Sequence, residues 1–488
     1  MGFLFFIDQI TLKPPHPYLR LFYIYTMVKH QFLIQRTIFL LTLLLIFTAC
    51  SQNEVSNQVK LYGKLINWGN ASKILNSNSL SADFGLGNDQ LIFTDLEDKF
   101  EISFDLDEPT YFSLGRNKLY LSPGDELYLE VDYKDPEAAI FQGESAALQT
   151  YLSGVAFPKS GSYLRGGSKL KSSDVQEVVV LASDETAQRR KLLESLDAAP
   201  VEFLELEAMR LTLDQLNTIL SMPIYGSFKD YWEYSEQTKA EVLIAVKDEL
   251  NRLSSGLMQD KYMKHPNFRD MLLDLVDPQL HEAGIFSDLN LTPFMAEYDE
   301  MGAFVTQLEL NGLSDEMQAQ ANAFLNGQHS EEYKAMVKQK LQEYEALLPG
   351  QPAFDVLLKD ALGSEVNLED FSGKLMYVDL WATWCGPCIE ELPAFEKLKE
   401  EYVNEEIAFV PISIDTDLEA WQRYLEKHDL PKTKEYVINR LDLSDYKVIT
   451  IPRYFLLDAN FKIISVLAPV PSSSETKKLI NEYLEKTE

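Results

Sequence analysis

The chain holds three cysteines, and two of them are spaced to react with each other. Cys385 and Cys388 bracket Gly386 and Pro387, with Trp384 just ahead. An apolar run over residues 375–382 reads as a buried strand, and 389–402 reads as a helix. Cys385 then falls just before the first helical turn, where unpaired amides and the positive helix end face its sulfur. Both features favour thiolate over thiol. Pro387 suits that turn, because its missing N–H would go unpaired there anyway. Cys388 follows on the same helical face, within reach of the Cys385 sulfur. The pair predicts a reversible disulfide. The same spacing is half of a zinc site, but the chain has no second cysteine pair and no His-x-x-x-His to complete one, so neither a metal nor a cofactor is expected. A purely structural bridge between residues so close would constrain little of the unfolded chain.

The elements that must hold this pair lie in residues 349–488. Leu348-Pro349-Gly350-Gln351-Pro352 breaks the preceding helix and marks a linker. Beyond it, strand patterns at 375–382, 407–414, 454–457 and 462–466 are interleaved with helix patterns at 389–402, 418–427 and 475–484. Alternation of this kind predicts an α/β fold, a sheet with helices on both faces.

Val378-Asp379-Leu380-Trp381-Ala382-Thr383-Trp384-Cys385-Gly386-Pro387-Cys388 resembles thioredoxin. With Leu368-Glu369-Asp370-Phe371-Ser372-Gly373-Lys374 upstream, the segment resembles the TlpA/ResA-like envelope thiol–disulfide oxidoreductases. The resemblance covers under a third of the chain. It implies a thioredoxin fold with a central mixed sheet, Cys385 as exposed nucleophile and Cys388 as buried resolving thiol. Trp384, Gly386 and Pro387, with Ile451 and Pro452, would form the substrate-binding surface. Asp379 matches a buried acid, whose burial would raise its pKa into the range of a general base. Pro452 matches a cis-proline that presents the backbone of Ile451 to a substrate strand. Pro393 matches a proline that kinks the active-site helix. Glu391 matches an acid near the cysteines, although Glu390 and Glu391 also simply complement the helix dipole. Arg453 stands where a small threonine often follows the cis-proline, which bears on the substrates that can approach.

The rest of the chain says where this chemistry would take place. Lys29, His30 and Arg36 precede an apolar run ending in Phe47-Thr48-Ala49-Cys50. Residues 1–50 read as a signal peptide, with Met27 a better start than Met1. The run is short for a membrane-spanning helix of about 20 residues. Its end resembles a bacterial lipobox, which implies lipid on Cys50 and an envelope location in a Gram-negative-type bacterium. Ser51 favours the outer membrane by family analogy. Residues 51–58 read as a polar tether and 59–135 as a β-rich domain, with strands at 59–66, 90–94, 100–106, 110–114, 118–121 and 127–131. Residues 136–348 read as a helical region, with helices at 186–196, 201–220, 235–257 and 330–348. An aromatic patch over 225–234 is either core or a partner surface. The net charge of −32 argues against nucleic acid as a partner.

The expected activity is reduction of disulfides in envelope proteins, with electrons from a membrane-bound donor. Two other readings stand beside it. One is a peroxidase of the peroxiredoxin-related type, although Ala382 occupies the place of the threonine that peroxiredoxins put three residues before their reactive cysteine. The other is an envelope binding lipoprotein in which the redox domain is an accessory.

Overall fold

The computed structural model describes residues 57–69, 73–154, 174–222 and 235–485. The signal peptide, Met27, Cys50 and its lipobox, nearly all of the tether and the 225–234 patch lie outside the described residues.

Short strands with alternating burial open the described chain. In β1 (Gln58–Ile66) Val59, Leu61 and Leu65 point inward while Lys60, Tyr62 and Lys64 are half-exposed. This is the two-residue period of a sheet with one buried face. Then come β2 (Ile74–Ser77), β3 (Gln90–Leu91), β4 (Lys99–Asp105), β5 (Thr110–Leu114), β6 (Asn117–Leu121), β7 (Glu126–Asp132) and β8 (Ile140–Gly143). They form two four-stranded sheets, ordered β4-β1-β7-β8 and β3-β2-β5-β6, around one apolar core. Strand β8 lies inside the span whose periodicity predicts helix, and it extends the first sheet beside β7.

Helices follow: α1 (Ala146–Ser153), α2 (Val175–Glu194), α3 (Val201–Leu220), α4 (Glu236–Ala245), α5 (Lys247–Ser254), α6 (Pro266–Leu275), α7 (Pro278–Glu282), α8 (Pro293–Asn311), α9 (Asp315–Asn326) and α10 (Glu331–Glu345). Their starts are chemically marked. Ser235, Thr292, Ser314 and Ser330 each cap a helix by accepting the amide three residues on. The continuous helix predicted over 235–257 is two helices, α4 and α5, broken at Val246.

Buried charges join these helices to the β-rich region. Arg269 of α6 gives its guanidinium to Asp83, at 2.5 and 3.2 Å, and to the carbonyls of Asn78 and Ser79. Tyr111 of β5 donates its hydroxyl to Glu207 of α3 at 3.0 Å. Arg210 lies between Glu207 and Asp214, and His265 lies 3.4 Å from Glu207.

The remaining residues build the α/β unit: β9 (Leu357–Asp360), β10 (Glu365–Asn367), β11 (Leu375–Trp381), α11 (Gly386–Glu401), β12 (Ile407–Ser413), α12 (Leu418–Lys427), β13 (Tyr436–Val437), β14 (Arg453–Leu457), β15 (Ile463–Ser465) and α13 (Ser474–Glu485). The seven strands are ordered β10-β9-β13-β12-β11-β14-β15. β11 runs parallel to β12 and antiparallel to β14, so the sheet is mixed. The expected fold class is found, with the β-rich and helical regions ahead of it. One apolar cluster runs from Phe84 and helices α8–α10 to Val378, Leu380, Cys385 and Cys388.

Candidate active site

All seven residues of β11 are buried, as a central strand covered on both faces requires. The chain leaves this strand at Trp381 and enters α11 at Gly386. Cys385 is the N-cap, and its sulfur accepts the Cys388 amide at 3.2 Å. The two sulfurs are bonded, with Cα atoms 5.3 Å apart. The helix start therefore offers its free amides to the sulfur that would carry negative charge after reduction. Pro387 lies in the first turn and Pro393 lies inside the helix. Cys385 is 5% exposed and Cys388 1%. In this disulfide-bonded form Cys385 is thus less open than the exposed nucleophile implied by the resemblance. The exposed group is Trp384, at 65%.

The turn ahead of the cysteines is held by a residue that sequence reading passed over. Asp415, just after β12, accepts the Thr383 amide at 2.9 Å and the Thr383 hydroxyl at 2.7 Å. Ser413 donates to the same carboxylate at 2.8 Å. The available signal was an acid ending a buried strand, in Ser413-Ile414-Asp415.

Pro452 follows a cis peptide bond from Ile451. Leu380 pairs with Arg453, so the antiparallel register sets Ile451 and Pro452 alongside the end of β11 that leads to Cys385. Arg440 donates to the carbonyls of Val448 and Ile449 and holds the loop that leads there. Lys447 in that loop reaches Glu343 of α10 at 3.3 Å. Arg453 is buried, which lowers its pKa, and Tyr344 of α10 opposes that shift.

Asp379 is 2% exposed, and its Oδ1 has no hydrogen-bond partner among the described residues. Burial raises its pKa well above the carboxylate range, and the charges of Glu435, Glu391 and Glu396 add to the rise. Glu391 has a bonding role of its own. Its carboxylate accepts the Ser472 amide at 2.9 Å and the Ser472 hydroxyl at 2.8 Å, which ties α11 to the turn before α13. Among the described residues no group of three or more His, Cys, Asp or Glu is placed to hold a metal ion.

The Redoxin family model matches residues 348–480. The thioredoxin-like protein YneN of Bacillus subtilis (strain 168) is 31% identical over 140 residues, which is 28% of this chain and 78% of that protein. The thiol-disulfide oxidoreductase ResA of Geobacillus thermodenitrificans is 30% identical over 145 residues, covering 29% of this chain and 80% of that protein. This chain belongs to the thioredoxin-like thiol–disulfide oxidoreductases. A solved Bacteroides vulgatus protein, provisionally assigned as a thiol-disulfide oxidoreductase, is 45% identical, covers 28% of this chain and 98% of its own, and has a TM-score of 0.27. The segment that the family model matches carries Cys385, Cys388, Asp379 and Pro452.

Proposed function

We propose that this oxidoreductase reduces disulfides of envelope proteins through Cys385 and Cys388. The observation that carries the reading is a helix start capped by the Cys385 sulfur, which is bonded to that of Cys388, at the end of a strand that holds a buried acid with an unpaired oxygen. The Cys385 thiolate attacks a substrate disulfide, forming a mixed disulfide and releasing the first substrate thiolate. Cys388 then gives its proton to Asp379 and attacks the Cys385 sulfur. The Cys385–Cys388 bond forms, the bond to substrate breaks, and the second substrate sulfur leaves as thiolate. Two electrons have passed from the protein to the substrate, and a membrane-bound dithiol donor returns them. Trp384, Gly386 and Pro387, together with the backbone of Ile451 beside Pro452, receive the substrate strand. Glu391 has a minor part, through its charge on Asp379.

We place the catalyst outside the cytoplasm, held to a membrane by lipid on Cys50 and facing the periplasm. The basic residues, apolar run and Ala49-Cys50 ending support this. The Gly-Pro dipeptide between the cysteines supports a reductant.

The test is a Cys388→Ser variant expressed with its leader. It is expected to accumulate a mixed disulfide on Cys385 with envelope proteins, released by dithiothreitol and absent from the Cys385→Ser/Cys388→Ser double variant. No adduct, together with rapid peroxide consumption by the wild type, would replace this reading with the peroxidase one. Full biological activity in Cys385→Ser would make the redox unit accessory to a binding function.

A further inference from the structure

Asp379 has a companion acid under α11. Asp379 pairs with Pro411, and Ile412 pairs with Tyr436. Extending that parallel register by one residue sets Pro411 beside Glu435, which leads into β13. Asp379, Pro411 and Glu435 thus form one row across three strands, and side chains in one row share a face. With strands about 4.8 Å apart, the two acids are roughly 10 Å apart at their Cα atoms. Pro411 between them carries no polar side chain that could separate their charges.

The shared face is the one that α11 covers. Tyr377, two residues before Asp379, stacks on Phe395 of α11 at 6.1 Å. Asp379 and Glu435 are each 2% exposed, and no Lys or Arg pairs with either among the described residues. Burial pushes Glu435 up to about 8, with Glu396 adding to the rise and Lys399 opposing it. Glu435 is the foremost charge acting on Asp379. The other titratable neighbours can be named. Glu391, Glu396 and Lys399 act from α11, Tyr377 from β11 and Tyr454 from β14. The Glu435 charge also acts on Tyr424 of α12 and on Tyr436 of β13. The one cation, Lys399, is bonded to Glu396 at 2.8 Å.

We propose that Glu435 is a positioning residue of the redox centre, the second member of a buried carboxyl pair that determines when Asp379 can take the Cys388 proton. The inference rests on Asp379 acting as that proton acceptor. Two carboxylates in one dry site do not readily ionise together, so once one of the pair has lost its proton the other holds its own more tightly. While Glu435 is ionised, Asp379 holds the proton and cannot accept another. When the proton sits on Glu435, Asp379 is free. It then takes the Cys388 proton, the Cys388 thiolate forms the bond to Cys385, and the substrate thiolate departs and is protonated from water.

The experiment forms a mixed disulfide between the full chain and a model peptide thiol and follows its single-turnover resolution against pH. Resolution in the wild type is expected to rise through a midpoint. Glu435→Gln removes a negative charge beside Asp379, and its midpoint should fall by about one pH unit. Glu435→Asp, which keeps the charge, should return the midpoint towards wild type. Asp379→Asn should abolish it. A Glu435→Gln profile that overlays wild type, with Asp379→Asn still lacking the midpoint, overturns the pair and leaves the base. An Asp379→Asn profile that overlays wild type overturns both. Should Glu435→Gln fail to fold, infrared titration of wild type and Asp379→Asn decides. In wild type the two buried carboxyl bands should titrate in two separate steps, with the Asp379 band, identified by its loss in Asp379→Asn, at the higher pH, and bands that titrate together overturn the proposal.

Discussion

Asp379 is a carboxyl in a strand with no exposed residue, and this has a thermodynamic consequence apart from chemistry. Its folded pKa is raised above its unfolded value by burial. Such a group contributes stability below the unfolded value of about 4 and loses it as pH rises through the folded value. Asp379→Asn should therefore be more stable than wild type near pH 8, with the gap closing towards pH 4. Urea unfolding at several pH values checks this, and a variant less stable than wild type at pH 8 would contradict it. Glu391 differs, because its bonds lead away from the strand to Ser472. Glu391→Ala should cost about 1 kcal/mol of stability and leave the exchange rate within about threefold. A tenfold slower exchange at unchanged stability would instead give Glu391 a part in the chemistry. Cys385 and Cys388 were visible from their own spacing, and Asp379 and Pro452 through the resemblance of the segments around them to thioredoxin. Asp415 and Glu435 were hidden because their importance comes from register, from which strand lies beside which.

At the scale of elements, regular patterns were legible where one face is buried. The spans 59–66, 110–114, 201–220 and 418–427 correspond closely to β1, β5, α3 and α12. Strands β2, β9, β10 and β13, of two to four residues, are too short to show a period and are held by their neighbours. The start of α2 was read late, because Val175–Ala182 mixes β-branched residues with polar ones and Asp174 supplies the cap. One element depends on a single missing side chain. Gly63 in β1 has φ +151°, and a Cβ there would lie 1.8 Å from the Leu129 carbonyl oxygen of β7. The obstacle is backbone in a paired strand, so it cannot turn aside. Gly63→Ala should cost about 3 kcal/mol or more and should separate β1 from β7 before the α/β unit unfolds. Hydrogen exchange at β1 and β7 amides would show this, and native protection there would refute it.

At the scale of the whole molecule, the β-rich region is joined to the helices by ionisable groups, and their pH responses oppose one another. His265 is held neutral by burial, its pKa lowered to about 4. A depressed value contributes stability above the unfolded pKa of about 6.5 and loses it as pH falls towards 4. Glu207, lowered to about 2 by Arg210 and His265 against the cost of burial, loses its contribution between about 4.5 and 2. Asp214 has the opposite sign. Burial raises it to about 6, so its contribution is lost as pH rises and recovered as pH falls from about 6 to 4. Between pH 6.5 and 4 the His265 loss and the Asp214 gain offset each other, and below about 4 the Glu207 loss stands alone. The junction should hold at pH 5 and loosen below 4. Asp214→Asn removes the offset while keeping an amide oxygen for Arg210, so its junction should weaken already between pH 6 and 5. Hydrogen exchange of the 73–84 and 260–275 segments reads the loosening directly, and α11 serves as the internal control. Equal exchange in wild type and Asp214→Asn at pH 5 would mean that Asp214 does not offset His265.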